Sequence, residues 1–181
     1  MALFRSAPPQ EPLVVSITGV RMGQRILGVV GGDPRMFLDA AAKVGISGSA
    51  FALTADASAV ARVQAAAEKH GVLLETSLLA LPLSYPDASF DLVFVDDRTP
   101  RAGSPPLSPL LDEIRRVLRP GGRIILAIAA RSHALGSLVG ITPTPPDVGP
   151  LLDALFGASF IAARLLATHH GVAFVEAARS V

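Results

Sequence analysis

The side chains able to do chemistry in this sequence gather where its apolar runs end. Asp96 and Asp97 follow the run over residues 90–95, and two adjacent carboxylates there could orient a reacting group or act as a general base. A solvated loop pair is the plainer alternative. Gly31, Gly32 and Asp33 follow the run over residues 25–30. Glycines in that place let the backbone approach a ligand closely, although a tight strand-to-helix turn uses the same residues while binding nothing. Asp56 follows the run over 50–55, and Ser77 with Leu78 stands at the end of the short run that starts at Leu73. His133, just past the run over 123–129, is the histidine on the right edge to act as a base. The other three have structural readings: His70 near a helix C-terminus, where the dipole favours it, and His169 with His170 in a hairpin turn. Cysteine is absent, so a thiol nucleophile, thiolate metal ligands and a disulfide scaffold are excluded.

What must position these residues is an alternation of strand-like and helix-like segments. Pro34 fits the first turn of a helix, with Met36, Phe37, Ala40, Ala41 and Val44 as its apolar face and 45–48 as its end. Asp56 or Ser58 caps a second helix carrying Val60, Val63 and Ala67 at helical spacing, and His70-Gly71 ends it. Residues 80–89 read as a loop, 98–106 as a Pro-rich loop, and Ser108-Pro109 opens a helix with Leu110, Leu111, Ile114, Val117 and Leu118 on one face. Pro120-Gly121-Gly122 breaks it before the strand over 123–129. A helix over 148–156 then precedes two strands near 160–166 and 172–177, joined by His169-His170-Gly171 and therefore antiparallel. Continuous apolar strands separated by amphipathic helices predict an α/β fold: a doubly wound, mostly parallel seven-stranded sheet with a C-terminal antiparallel hairpin. A ligand of such a sheet sits at the carboxyl ends of the strands, where their order switches.

The composition bounds the partners. A chain of 181 residues suits one domain, and the prolines of residues 1–13 mark them as a flexible arm before a single domain over 14–181. Half the residues are hydrophobic, which excludes disorder for the bulk of the chain. A formal charge of +1 with no basic stripe argues against nucleic acid. No apolar run approaches the ~18 residues of a membrane span, and residues 1–13 lack the apolar core of a signal peptide, so a cytoplasmic protein is expected. The apolar excess suggests a surface buried against a partner or a lipophilic substrate.

Three stretches carry a family resemblance. Ala80-Leu81-Pro82, followed by Pro86-Asp87-Ala88-Ser89-Phe90-Asp91-Leu92-Val93, is one. Residues 113–126, reading Glu-Ile-Arg-Arg-Val-Leu-Arg-Pro-Gly-Gly-Arg-Ile-Ile-Leu, are the second, and the framing Gly23-Gln24-Arg25-Ile26-Leu27 is the third. Together they resemble the class I, seven-stranded S-adenosylmethionine-dependent methyltransferases, in particular the ubiquinone/menaquinone-methyltransferase-like group (methyltransferase type 11), over about residues 20–179. The first matches that group's Leu-Pro-Phe-x-Asp-x-Ser-Phe-Asp segment, and the second its helix-to-strand-five junction nearly residue for residue.

The resemblance implies S-adenosylmethionine as cofactor. Gly31, Gly32 and Asp33 would wrap its methionine end, Asp56 would hold the ribose hydroxyls, and Ser77 and Leu78 would lie beside the adenine. Asp96 joins these cofactor contacts, and Asp97 and His133 are the candidate catalytic residues. The loop departs from the family's Asp/Glu-x-Gly-x-Gly-x-Gly: Gly28 replaces the acid, Val30 the first glycine and Pro34 the last. Restoring Gly28→Asp, Val30→Gly and Pro34→Gly is expected to raise cofactor affinity. Ser77 stands where the family carries an acid, and Asp56 also reads as a plain helix cap. Residues 90–97 also resemble a metal-dependent catechol-type branch, but the other ligands cannot be placed, so no metal is expected.

The function implied is methyl transfer to a small or lipophilic acceptor. The rival is a catalytically silent domain serving as an interaction or scaffold module, which the altered loop favours. A nicotinamide-dependent oxidoreductase is disfavoured, since the loop lacks Gly-x-Gly-x-x-Gly. Few residues precede the first strand, so the acceptor pocket is open or completed by a second chain, and a homo-oligomer or a partner protein is expected.

Overall fold

The computed structural model describes residues 12–98, 106–129 and 146–181. Most of the expected arm, most of the Pro-rich loop over 98–106, and His133 lie outside the described residues. The elements are α1 (Leu13–Thr18), β1 (Arg25–Val30), α2 (Arg35–Val44), β2 (Ser49–Thr54), α3 (Ala57–His70), β3 (Glu75–Leu78), β4 (Phe90–Asp97), α4 (Leu107–Val117), β5 (Leu118–Ala129), α5 (Gly149–Gly157), β6 (Phe160–His169) and β7 (Val172–Arg179). The seven strands form one sheet in the order β3-β2-β1-β4-β5-β7-β6. β3, β2, β1, β4 and β5 run parallel, and β7 is antiparallel to β5 and β6.

Both faces of the sheet are covered, which is why its central strands carry no polar alternation. On one face Ile26, Val30, Leu92, Phe94 and Ile125 pack under α1, α2 and α3. On the other, Leu27, Val29, Val93, Leu126 and Val175 pack under α4, α5 and Leu83. Each helix turns its apolar face to the sheet: Phe37, Leu38 and Ala41 in α2, and Leu111, Ile114 and Val117 in α4, are all buried.

The predicted architecture is the one found, with shifts at the ends of strands. Asp96 and Asp97 belong to β4 rather than to the loop after it, because Asp96 pairs with Val30 and Ala127, and Asp97 with Ile128. β5 starts at Leu118 instead of 123. Leu118 already pairs with Phe90, and a register shift then absorbs Pro120-Gly121-Gly122, with Gly121 in the left-handed region at φ 72°. β3 slides toward its C-terminal end, to Glu75–Leu78. The short α1 was not anticipated; it buries Val14 and Val15. Its Thr18 carbonyl accepts a hydrogen bond from Arg123 (2.9 Å), whose guanidinium also pairs with the buried Glu176 (2.7 Å).

The three sequence stretches that carry the resemblance bind one another. Arg116 in α4 donates to the carbonyls of Leu83 (2.8 Å) and Tyr85 (2.9 Å) and pairs with Glu113 and Asp87. Glu113 in turn accepts the N–H of Leu83 (2.7 Å). Bonded to Arg116 and to that N–H, its carboxyl lies below the usual range despite some desolvation, while Arg116 is held above its ordinary value. Asp91 accepts the N–H of Arg25 (2.6 Å) and pairs with Arg119 (2.8 Å). Tyr85 packs edge-on against Phe51 and Phe90, closing the loop onto the sheet. These motifs are a staple between the 80–89 loop, α4 and the start of β4.

Candidate functional site

β1 and β4 are neighbours from which the chain departs in opposite directions, toward β2–β3 and toward β5. Their carboxyl ends form the switch point where a doubly wound sheet binds its ligand. Because Val30 lies beside Asp96, the loop 31–34 faces the end of β4 directly. Asp33 turns toward its own helix: Oδ1 accepts the Arg35 N–H (3.1 Å), and the carboxylate pairs with Arg35 Nε (2.8 Å). Partial burial pushes its carboxyl up, but the Arg35 hydrogen bonds outweigh that and hold it below the ordinary range.

Across from it stands Arg98, which sequence reasoning did not single out. The Asp96 side chain is 3% exposed, and Arg98 clamps it with two parallel bonds, Nε to Oδ1 at 2.8 Å and Nη2 to Oδ2 at 2.6 Å. Nη2 also donates to the backbone carbonyl of Asp33 (3.2 Å). One guanidinium therefore joins both sides of the switch point. The available signal was the Asp-x-Arg spacing at a strand end, which suits a bidentate fork.

Beneath the loop the family's acid has been exchanged for packing. A Cβ at Gly28 would lie 2.7 Å from the Phe37 ring, and that ring stacks on Phe94 with centroids 6.3 Å apart. Gly28 is buried, and no side chain fits there while Phe37 holds its place. The expectation that Gly28→Asp restores a contact is thereby corrected: Gly28 is half of a packed pair, and an added carboxylate meets an aromatic ring. Pro34 is likewise well placed, preceding α2 with φ −75° and accepting the Leu38 N–H on its carbonyl.

The remaining predicted residues lie along the same edge. Asp56 caps α3, with Oδ1 accepting from Ala59 N (2.7 Å) and Ser58 Oγ (2.5 Å). The cap is thus realised, and a carboxylate retains acceptor capacity for hydroxyls beside it. Ser77 is exposed, and Leu78 is 53% exposed. Asp97 is exposed at the tip of β4. Ser77 and Leu78, Asp56, the 31–33 loop and Arg98 thus sit at the ends of four consecutive strands, a row of roughly 14 Å at ~4.8 Å per strand. His169 and His170 join this edge farther along: β7 is antiparallel and Val172 pairs with Ala129, so the hairpin turn stands beside the end of β5. Their rings touch, with centroids 4.1 Å apart. Among the described residues no group of three His, Asp or Glu is placed to hold a metal ion.

The row offers an exposed carboxylate at Asp56, an exposed apolar side chain at Leu78, loop backbone at Gly31 and Gly32 and a cation at Arg98, groups of the kinds that could hold S-adenosylmethionine. What differs from the family pattern is the methionine end, where Gly28 offers no acid.

Comparison with known proteins shows the family and the fold. Residues 29–126 match the family described as Methyltransferase domain. Among solved structures, the chain is similar to an S-adenosylmethionine-dependent methyltransferase from Aquifex aeolicus, at 19% identity and TM-score 0.72 over 92% of this chain and 87% of that one. It is also similar to a Haloferax volcanii methyltransferase chain from a complex with the Trm112 methyltransferase activator (17%, TM-score 0.66, 93% and 88%). A third is a [4+2]-cyclase (18%, TM-score 0.68, 93% and 79%). At these identities the likeness concerns the fold alone, and the cyclase shows that the fold also hosts other chemistry. No helix among the described residues is long and apolar enough to cross a membrane.

Proposed function

The chain belongs to the methyltransferase-domain family, with the class I S-adenosylmethionine-dependent fold, and on that premise we propose that it transfers a methyl group to a small or lipophilic acceptor in the cytoplasm. The observation that carries the reading is the row of polar and apolar groups along the ends of β3, β2, β1 and β4. In it Ser77 and Leu78 border the adenine, Asp56 accepts the ribose hydroxyls while capping α3, and Gly31, Gly32 and Asp33 take the methionine end. Asp96 acts there through Arg98. When bound, S-adenosylmethionine supplies a sulfonium-borne methyl electrophile; the protein's own work is to align an acceptor and exclude water. Asp97, exposed at the tip of β4, orients the acceptor or takes its proton, and His133 is the second candidate for that role.

An assembly is part of the proposal. Met22, Ile46 and Leu73 are each more than 70% exposed just before β1, β2 and β3, an apolar patch at the edge of the sheet away from the row. A second copy or a partner protein would cover it.

Calorimetric titration of the folded protein with S-adenosylmethionine and S-adenosylhomocysteine tests the reading. Saturable one-site binding is expected, weakened in Asp56→Ala by about 1.5–3 kcal/mol through loss of a charge-assisted bond. No heat from either ligand would sink the enzyme reading and leave the silent-module alternative. Unchanged affinity in a folded Asp56→Ala variant would return Asp56 to capping alone.

A further inference from the structure

We propose that Arg98 is the receptor for the carboxylate of the ligand's amino-acid end, held in place for that task by the buried Asp96. The inference rests on the cofactor reading above and deepens it, adding a residue to the site and a basis for ligand selection.

Position comes first. Arg98 reaches from the end of β4 to the Asp33 carbonyl and so lies over the loop that receives the methionine end. Its orientation is constrained: the Nε–Nη2 edge is locked onto both oxygens of Asp96, and a carboxylate 3% exposed has no solvent to exchange with. The Arg98 side chain keeps 21% of its surface, and its hydrogen bonds among the described residues run through Nε and Nη2. A guanidinium carries five donors in a fixed fork, and Asp96 and the Asp33 carbonyl use only part of them. The remaining end-on pair, Nη1 and Nη2, matches a second carboxylate once Nη2 releases the carbonyl.

Charge decides the ligand class. An arginine placed there only to neutralise Asp96 would need no contact with the opposite loop. An amino-acid end is a zwitterion, and the position that would answer its ammonium, 28, holds a glycine under an aromatic ring. Asp33, already paired with Arg35, is the remaining acid on the loop. Arg98 is paired as well, with Asp96, but its guanidinium keeps N–H donors beyond that pair, so the group it selects is a carboxylate.

The experiment compares two probes by calorimetry: S-adenosylhomocysteine, and S-adenosyl-3-thiopropylamine, which keeps the ammonium but lacks the carboxylate. The wild type should bind S-adenosylhomocysteine more tightly, and Arg98→Met should weaken that ligand by roughly 10- to 100-fold while leaving the amine nearly unchanged. Because Arg98→Met strands a buried carboxylate, Asp96→Asn/Arg98→Met is measured beside it, with the same loss of preference expected. Equal preference in wild type and variants would overturn the receptor while leaving the cofactor reading intact. Tighter binding of both probes by the variants would also overturn it, making Arg98 a closure over the loop. Binding of neither probe by the wild type would remove the cofactor reading and this inference together.

Discussion

The β4–α4–β5 junction and the β1–α2 loop share a sheet, yet they stand in opposite relation to their sequences. At the junction, the residues that carry the resemblance bond to one another: Arg116 to Glu113, Asp87 and two loop carbonyls, and Asp91 to Arg119 and the Arg25 N–H. Removing any of them leaves a partner inside the same protein unsatisfied. At the loop, the family's acid and glycines serve a ligand, and here Phe37 fills the space over Gly28 while Arg98 bridges from β4. A motif whose partners lie within the chain is tied to the fold. A motif whose partner is a ligand can be exchanged when packing supplies a substitute.

The sharpest way to break this contrast is Gly28→Asp, which should destabilise the protein by about 4 kcal/mol, since overpacking and a buried carboxylate add. If the clash with Phe37 is the cause, Phe37→Ala in the same chain recovers part of the loss, a coupling that a double-mutant cycle of urea melts reads directly. Additive losses would show that Phe37 is not what excludes a side chain. Next in size is Arg116→Ala, expected to cost about 3 kcal/mol and lower Tm by roughly 6–12 °C, because two carbonyls and two carboxylates lose their donor together. A shift under 2 °C would deny that the junction is a staple.

Acid titration sharpens the contrast at lower amplitude. Glu113 and Asp33 are both held below their ordinary carboxyl range in the folded state. A carboxyl with a depressed folded value stabilises fully above its unfolded pKa, about 4.3 for Glu and 3.9 for Asp, and loses that contribution as pH falls through the folded value. Both groups are partly solvated, so fractions of a kcal/mol are expected. Urea melts over a series of pH values from 7 downward should show Glu113→Gln losing more stability than Asp33→Asn at pH 7, and the differences among the three proteins narrowing as pH falls. The reverse order would place the more demanding carboxylate at the loop.

The elements and the sheet were legible because burial on both faces writes continuous apolar strands, and because caps such as Asp56 and His70-Gly71 mark helix ends. Pairing decides where strands stop, so β4 could not be read to end at Asp97 without Val30 and Ile128 beside it. At the site, Asp56 and the 31–33 loop were visible from their places after apolar runs. Arg98 was not, because its partners are a residue two positions back and a carbonyl on another strand's loop. Phe37 was visible as part of the apolar face of α2, but its seat over Gly28 follows from how α2 crosses β1. Of the two histidines read as a turn, His170 lies in it while His169 ends β6, paired with Val172; that the turn stands at the carboxyl edge depends on the pairing of β7 with β5.

The most direct test of a rebuilt methionine end is a crystal structure of the wild-type protein with S-adenosylhomocysteine. The account predicts the nucleoside along the ends of β3, β2 and β1, with Phe37 still stacked on Phe94 over Gly28 and the ligand carboxylate on Arg98. Phe37 driven out of its seat, a carboxylate bound elsewhere, or no ligand at saturating concentration would contradict it.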